Sequence, residues 1–345
     1  MVYDDAQIEV LKGLEVVRRR PAMYIGDIAD GSGLRNMLSS AVTWVVDQHR
    51  ERVATELHVD IDRDSWITVR DDGPGVAAAM FENAFTRMLA GGSGVRYGVG
   101  FAPISALSSR LEVETTHGGV RSAQAFERGV AVTEPHELGS NGGGTQLRFR
   151  PDAEIFGSID LDHARVRAWL QQLAWLYPSL RVCFQGERLA WRGGICGWVA
   201  QLAGAVETMY ATRQAFGGVG VDVVLAWSSS LSSSTLRSFA NGDETVDHGT
   251  HVDGLWAGVA DFASAANATV RTAGDIRGTL APGLVAIVHV ELVHPSFKSQ
   301  LRERLTSPSA CSTMRQAVAA DLADALLRDM SLRRLLEARL GFTHR

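Results

Sequence analysis

Cysteine is scarce. Cys183, Cys196 and Cys311 are the whole supply in 345 residues, odd in number and far apart. No CxxC or Cys/His spacing joins them, which excludes a disulfide framework and a zinc site of familiar spacing. Thiols used this sparingly suit a reducing compartment, so a cytoplasmic location is expected. Positive charge is not in excess: 34 Lys and Arg stand against 39 Asp and Glu, a formal charge of −5. A dedicated nucleic-acid binder needs a basic surplus to neutralise phosphates, and none is present. No apolar run approaches the length of a membrane span. The opening Met1-Val2-Tyr3-Asp4-Asp5 has neither the basic head nor the apolar stretch of a signal peptide. What is plentiful is core material. At 46% apolar and 21% charged residues, disorder is excluded as the dominant state, and the length suggests two domains.

Helical spacing predicts helices over 5–20, stopped by Pro21, and over 34–50, where Leu34, Met37, Leu38, Ala41, Val42, Val45 and Val46 share a face. Alternation predicts strands at Leu57–Asp62 and Trp66–Arg70, running into the turn Asp71-Asp72-Gly73-Pro74-Gly75. Phe81–Ala90 reads as a helix ending in the densest glycine stretch, and Phe101–Ser109 as a helical restart. Strands follow over Leu111–Glu114, Val120–Phe126, Val130–Val132 and Thr145–Arg150, then a helix over 161–177. Beyond a boundary near Gly193-Gly194, strands are expected at Val221–Trp227, Leu236–Ala240 and Gly283–Leu292. Helices are expected at Ile195–Ala203 and Val252–Ala263. Met314–Leu340 reads as a long amphipathic tail broken near Ser331.

The segment Ile8–Asp27, with its Arg18-Arg19-Arg20-Pro21-Ala22-Met23-Tyr24-Ile25-Gly26 run, closely resembles the start of DNA gyrase B and of its counterpart in topoisomerase IV. The likeness continues through Asp71–Gly75, Leu89–Gly92, Gly98-Val99-Gly100, Gly144–Phe149, Gly249–Gly254 and His294–Gln300, nearly the whole chain. It implies an α/β (α+β sandwich) fold: a GHKL (Bergerat-type) ATPase-like domain followed by a ribosomal-S5-like transducer domain. The expected division is an N-terminal arm over 1–12, the ATPase-like domain over 13–193 and the transducer-like domain with its C-terminal helix over 194–345. The chain ends where that family's TOPRIM domain would begin, so a complete topoisomerase is not expected.

Carried onto this sequence, the resemblance also implies losses. The family's water-polarising Glu falls at Ser40, and its Mg²⁺-holding Asn, one helical turn on, at Trp44. Serine is no general base near pH 7, and indole offers an N–H donor but no hard oxygen for magnesium. The family's Arg in the DxGxG turn becomes Pro74. The lid between Gly92 and Gly98 is shorter, leaving fewer backbone N–H groups for a triphosphate. A rim arginine aligns with Ala123, and the transducer lysine aligns with Arg302, beside a retained Gln300. Asp71, the family's adenine-reading carboxylate, is kept, as are Gly73, Gly75 and Thr145. Tyr3 and Ile8 of the dimerising arm also survive.

ATP and Mg²⁺ are therefore not expected as cofactors. The ligand pocket is expected from Ser40, Trp44, Asp71, Gly73, Pro74, Val76, Tyr97, Phe101, Ala123 and Thr145, with Gln300 and Arg302 reaching it from the transducer. Such a pocket is smaller and more apolar than its ancestor and suits a hydrophobic, drug-sized ligand. Asp71, Thr145 and Tyr97 are the candidate catalytic groups for a natural-product cyclase of the [4+2] type in secondary metabolism. Two alternatives stand beside it: a self-resistance decoy binding a gyrase-targeting antibiotic, and a regulatory pseudo-ATPase pairing with gyrase B. A homodimer through the arm is a further partner expectation; nucleic acid and membrane are not. At the level of single residues, Asp71 either reads a ligand or caps its glycine turn, and Trp44 either contacts a ligand or fills core.

Overall fold

The elements follow from where apolar side chains recur and where the backbone is forced to turn. A computed structural model describes residues 13–88, 100–140, 142–157, 159, 161–189, 192–299 and 302–342. The chain divides into two units: one runs to Ala174 and includes Ser179–Ala190, the other holds Trp175–Pro178 and everything from Trp191 onward. The arm over 1–12, with Tyr3 and Ile8, lies outside the described residues.

The first unit contains α1 (Glu15–Arg19), α2 (Ala22–Ile25), α3 (Ser32–Arg50), β1 (Glu56–Ile61), β2 (Ile67–Asp71), a 3₁₀ turn (Ala78–Met80), α4 (Phe81–Thr86), α5 (Phe101–Ala106), β3 (Ser108–His117), β4 (Val120–Glu127), β5 (Val130–Ala131), β6 (His136–Gly139), β7 (Thr145–Pro151), α6 (Ala153–Phe156), α7 (His163–Leu176), β8 (Arg181–Phe184) and β9 (Glu187–Arg188). Among the described residues nine strands make one sheet, ordered β5-β4-β3-β7-β2-β1-β8-β9, with β6 also on β4. All pairs are antiparallel except β1 with β8. β1 and β2 alternate in burial, with Leu57, Val59, Ile67 and Val69 inward, and β2 packs on the apolar face of α3, Val69 sharing a cavity wall with Ala41 and Val45. That face buries Leu34, Met37, Leu38, Ala41, Val42, Val45 and Val46. Each of these Leu, Met and Val side chains contributes roughly 1.5–3 kcal/mol by leaving water, and Ala41 less. α3 ends because Arg52 turns left-handed at φ 63°, so that the amides of Arg52 and Val53 return to the carbonyls of His49 and Gln48.

Several sequence expectations are refined here. Of the helix expected over 5–20, residues 5–12 lie outside the described residues and the rest is helical over Glu15–Arg19. The helix expected over Phe81–Ala90 ends at Thr86. The helix expected to reach Ser109 stops at Ala106, because Ser108 pairs with Pro151 and its carbonyl accepts from the Arg128 amide. The strand β6, wholly exposed, has no buried face to give it an alternating signature.

The second unit contains α8 (Gly194–Ala203), β10 (Thr208–Phe216), β11 (Val219–Trp227), β12 (Thr235–Ala240), β13 (Asp243–Glu244), α9 (Thr250–Ala265), α10 (Ala273–Leu280), β14 (Leu284–Glu291), α11 (Pro308–Arg328) and α12 (Met330–Leu340). Its sheet runs β10-β11-β14-β12-β13, with only β12 and β14 parallel. α9 packs closely on α11, where Gly254 and Gly258 leave room for the Cys311 and Arg315 backbone. The tail expected to break near Ser331 breaks at Asp329, whose carboxylate accepts from the Ser331 and Leu332 amides at 2.8 and 3.0 Å and so caps α12.

Candidate functional site

Strand β2 ends on two adjacent carboxylates, and their surroundings give them opposite characters. Asp72 accepts from the Thr55 and Glu56 amides at 2.7 and 2.8 Å and from the Thr55 hydroxyl. Partial burial pushes its carboxyl up, but these hydrogen bonds outweigh burial and hold it below its ordinary value. Asp72 is a clasp between β1 and the turn. Asp71 points inward and is 5% exposed. Its Oδ1 accepts from the Gly73 amide at 2.7 Å and the Thr145 amide at 3.2 Å. Burial nevertheless dominates, and with the Asp72 charge beside it the Asp71 carboxyl is pushed up to about 6.

The turn that holds Asp71 tolerates little side-chain bulk. A Cβ on Gly73 would fall onto Gln48 Oε1 and 3.0 Å from Asp71 Oδ1. Gly144 sits at φ +78°, and a Cβ there would strike the Asp71 carbonyl. Gly144→Ala is therefore expected to destabilise the first unit by roughly 1–3 kcal/mol from backbone strain alone, read by urea unfolding. A loss within error would show that this loop does not position Asp71. β7 then delivers Thr145, whose hydroxyl lies 3.2 Å from that of Thr115 on β3. The Thr115 hydroxyl in turn accepts from the Val76 amide at 2.9 Å.

Opposite Asp71 stands an aromatic cluster. Trp44 meets Phe101 edge-on at 5.3 Å, Phe101 stacks on Phe85 at 5.1 Å, and Phe85 lies 5.1 Å from Phe126. Trp44 Nε1 is buried and has no hydrogen bond of good geometry, although it faces the Asp71 carboxyl closely enough to favour its ionised form. Ala41, Trp44, Val45, Val69, Asp71, Val76, Phe85, Phe101, Val113, Thr145 and Leu147 enclose a cavity of about 10 Å³. That is room for one water, against roughly 300–1,000 Å³ in a typical ligand pocket. Among the described residues the aromatic rings leave no drug-sized void at this position.

Of the residues named from sequence, Trp44, Asp71, Val76, Phe101 and Thr145 line this cavity together. Gly73 supports them from the turn. Pro74 is exposed, with its carbonyl accepting from His117 at 3.2 Å. Ser40 is not part of the cavity; its hydroxyl bonds back to the Asn36 carbonyl at 2.9 Å. Ala123 is not brought to the cavity either. It stands opposite Glu114, whereas its neighbour Gln124 stands opposite the cavity residue Val113. Tyr97, Gln300 and the short lid between Gly92 and Gly98 lie outside the described residues. Arg302, on the second unit, is engaged there: its guanidinium bonds Asp243 at 2.6 Å and lies 5.6 Å from the Phe297 ring. Sequence reading missed Phe85 and Gln48. Phe85 repeats Phe81 one helical turn on, and Gln48 continues the four-residue row of Ser40 and Trp44; both spacings were visible.

Comparison with known proteins places this geometry. Residues 29–155 match the family described as histidine kinase-, DNA gyrase B-, and HSP90-like ATPase, and residues 194–340 match the DNA gyrase B family. DNA gyrase B of Thermus thermophilus is 32% identical, aligned over 94% of this chain and 57% of that protein. The mitochondrial DNA gyrase B of Arabidopsis thaliana is 29% identical over 94% of this chain and 50% of that protein. The chain spans about half the length of these curated relatives. Among solved structures, the 43K ATPase domain of Thermus thermophilus gyrase B, in complex with an aminocoumarin, superimposes with a TM-score of 0.80 at 27% identity, over 96% of each chain. DNA gyrase B from Myxococcus xanthus gives 0.82 at 27% identity, over 94% of this chain and 99% of that one.

Fold and neighbours together define a GHKL ATPase-like domain followed by a transducer domain. Residues 29–155 and 194–340 carry these two family matches in the order and with the fold of the N-terminal region of DNA gyrase B.

Proposed function

We propose that this chain is a gyrase-B-like protein that does not hydrolyse ATP and whose former nucleotide pocket serves a hydrophobic small molecule. The observation that carries the reading is the indole of Trp44, packed against Phe101 over Asp71. Hydrolysis in this fold needs a base for water and hard oxygens for a metal. Ser40 is turned back onto its own helix, and Trp44 offers neither kind of oxygen. The residues present do not fit a Mg²⁺-triphosphate: the donor set is wrong and the cavity holds one water.

A ligand enters this pocket by displacing aromatic side chains, so its own apolar surface must replace their contacts. Confinement of a folded linear substrate, as in an intramolecular [4+2] cyclisation, is the reaction that demands least acid–base chemistry of such a site. Asp71 and Thr145 would hold or polarise the polar end, with Tyr97 the third candidate. The test is a titration with a linear polyene bearing a neutral polar end, following tryptophan emission and cyclised product. Saturable quenching is expected in the parent protein, absent from Trp44→Phe, with product formed faster than background. No saturable change up to the solubility limit removes the reading.

One observation favours a second reading, a decoy that sequesters a gyrase-directed antibiotic. The Thermus thermophilus relative was solved with an aminocoumarin, and Asp71 and Thr145 stand together here. Calorimetry with an aminocoumarin decides it: micromolar or tighter binding supports the decoy, and absence of heat removes it.

A further inference from the structure

A second cavity lies in the first unit, at the opposite end of β2 from Asp71. It measures about 300 Å³, the low end of the range for ligand pockets. Its floor is aliphatic. Ile61 closes β1, Ile67 opens β2, and the two stand opposite each other in register. Ile159 and Leu161, from the segment that leads into α7, complete it. Ile61, Ile67 and Leu161 are buried, and Ile159 is half-buried. The rim is polar: Asp62, Arg63 and Ser65 come from the β1–β2 turn, and His163 is the first residue of α7.

The charges on this rim do not cancel. The Asp62 carboxylate is already committed. Its Oδ1 accepts from the Asp64 and Trp66 amides, both at 2.9 Å, and its Oδ2 faces Arg148, whose guanidinium lies over the Trp66 ring. Asp162, beside His163, caps α7 through the Ala164 and Arg165 amides and pairs with Arg165 at 3.3 Å. Arg63 is exposed and forms no ion pair or hydrogen bond among the described residues. A guanidinium with its fork unused thus stands at the mouth of an aliphatic cavity. Ser65 adds a second argument. It holds φ 63°, the left-handed position of a short hairpin, where glycine is the unstrained choice, so a side chain is kept there at a cost. Its hydroxyl reaches only the Ile159 carbonyl, at 3.4 Å, beyond the usual length of an O–H···O bond, which leaves it ready to serve a better partner.

We propose that this cavity binds a monocarboxylate carrying a medium-length alkyl chain. The site is separate from the cavity at Trp44 and does not depend on how that one is read. The chain lies against Ile61, Ile67, Ile159 and Leu161, and leaving water supplies most of its affinity. The carboxylate takes two parallel donors from the Arg63 fork, with the Ser65 hydroxyl and a His163 ring N–H within the same rim. An amine would meet a free cation and a carboxylate already spent. An alcohol would leave the guanidinium fork unused. An aromatic body is the poorer fit, since the walls below the rim are aliphatic.

The full chain is titrated with octanoate, 1-octanol, octylamine and acetate, and dissociation constants are read by protein-observed NMR. Octanoate is expected to bind at least about tenfold more tightly than 1-octanol, the margin of one charge-assisted bidentate pair. Acetate, which keeps the head and lacks the chain, is expected to bind at least about a hundredfold more weakly than octanoate. Shift changes centre on Ile61–Ile67 and His163 and leave the Trp44 indole N–H in place. Arg63 is exposed in a turn, so Arg63→Gln keeps the fold and brings octanoate within about twofold of 1-octanol. Equal affinity for octanoate and 1-octanol in the parent protein, or tighter binding of octylamine, overturns the choice of ligand. A preference for octanoate that survives Arg63→Gln overturns the role of the guanidinium and the inference with it. Shift changes centred on Trp44 place the ligand in the other cavity and also overturn it. Binding by neither octanoate nor 1-octanol at their solubility limits removes this site and leaves the reading of the Trp44 pocket untouched.

Discussion

Trp44→Ala is expected to lower the stability of the first unit by about 3 kcal/mol, the lower end of the range for truncating a large aromatic side chain. The lower end applies because Trp44 is only partly buried. The loss has two parts. The indole gives up its edge-on contact with Phe101 and its apolar contact with the cavity wall, and the wall cannot follow it inward. Phe101 is fixed by stacking on Phe85, which is itself fixed against Phe126, so relaxation is limited. The vacated space is flat, apolar on its walls, and closed at one end by Asp71. Millimolar indole should therefore bind the variant and return part of the lost stability, as apolar ligands do in engineered cavities. Urea unfolding with and without indole measures both effects. A loss under about 1 kcal/mol would place the indole outside the packed cluster.

The second large effect is a gain. Asp71→Asn is expected to stabilise the protein at pH 7 by as much as ~3 kcal/mol, and to change nothing below about pH 4. In the unfolded chain this carboxyl has its ordinary value of 3.8, and burial raises it to about 6 in the fold. Below 3.8 both states hold the proton and no charge is buried. Between the two values the unfolded chain releases its proton while the fold retains it, so stability falls as pH rises. Above about 6 the fold carries an ionised carboxylate in apolar surroundings and the full cost is present. Asparagine keeps an oxygen for the Gly73 and Thr145 amides and carries no charge. Melting temperatures of parent and variant across roughly pH 3.5–8 give the test. A variant less stable at pH 7, or a difference independent of pH, contradicts the placement of Asp71.

Most of the scaffold was legible because its signals are local. The apolar stripe from Leu34 to Val46 fixed α3 within two residues at its start, and alternation fixed β1 and β2 within one. The turn at Asp71–Gly75 was legible from its residues as a glycine turn, and as a site only through the resemblance to gyrase B. What escaped was decided at a distance. β10 carries its register from nine pairings with β11, and its own pattern fades into exposed residues toward Phe216. Ser108 reads as helix by neighbourhood but is drawn into β3 by Pro151 and Arg128. The closure of the pocket escaped as well. Phe85 and Phe101 are sixteen positions apart with the glycine-rich lid between them, and no spacing rule says that their rings stack. Alignment puts Ala123 in the site, while strand pairing sets it opposite Glu114.

The proposal that this chain does not hold a Mg²⁺-nucleotide is tested most directly by calorimetry of the full chain with a non-hydrolysable ATP analogue, with and without Mg²⁺. No heat of binding is expected in either case, because Ser40 bonds back to its own helix and the Trp44 indole offers no oxygen to a metal. Stoichiometric binding that tightens on addition of Mg²⁺ would contradict it.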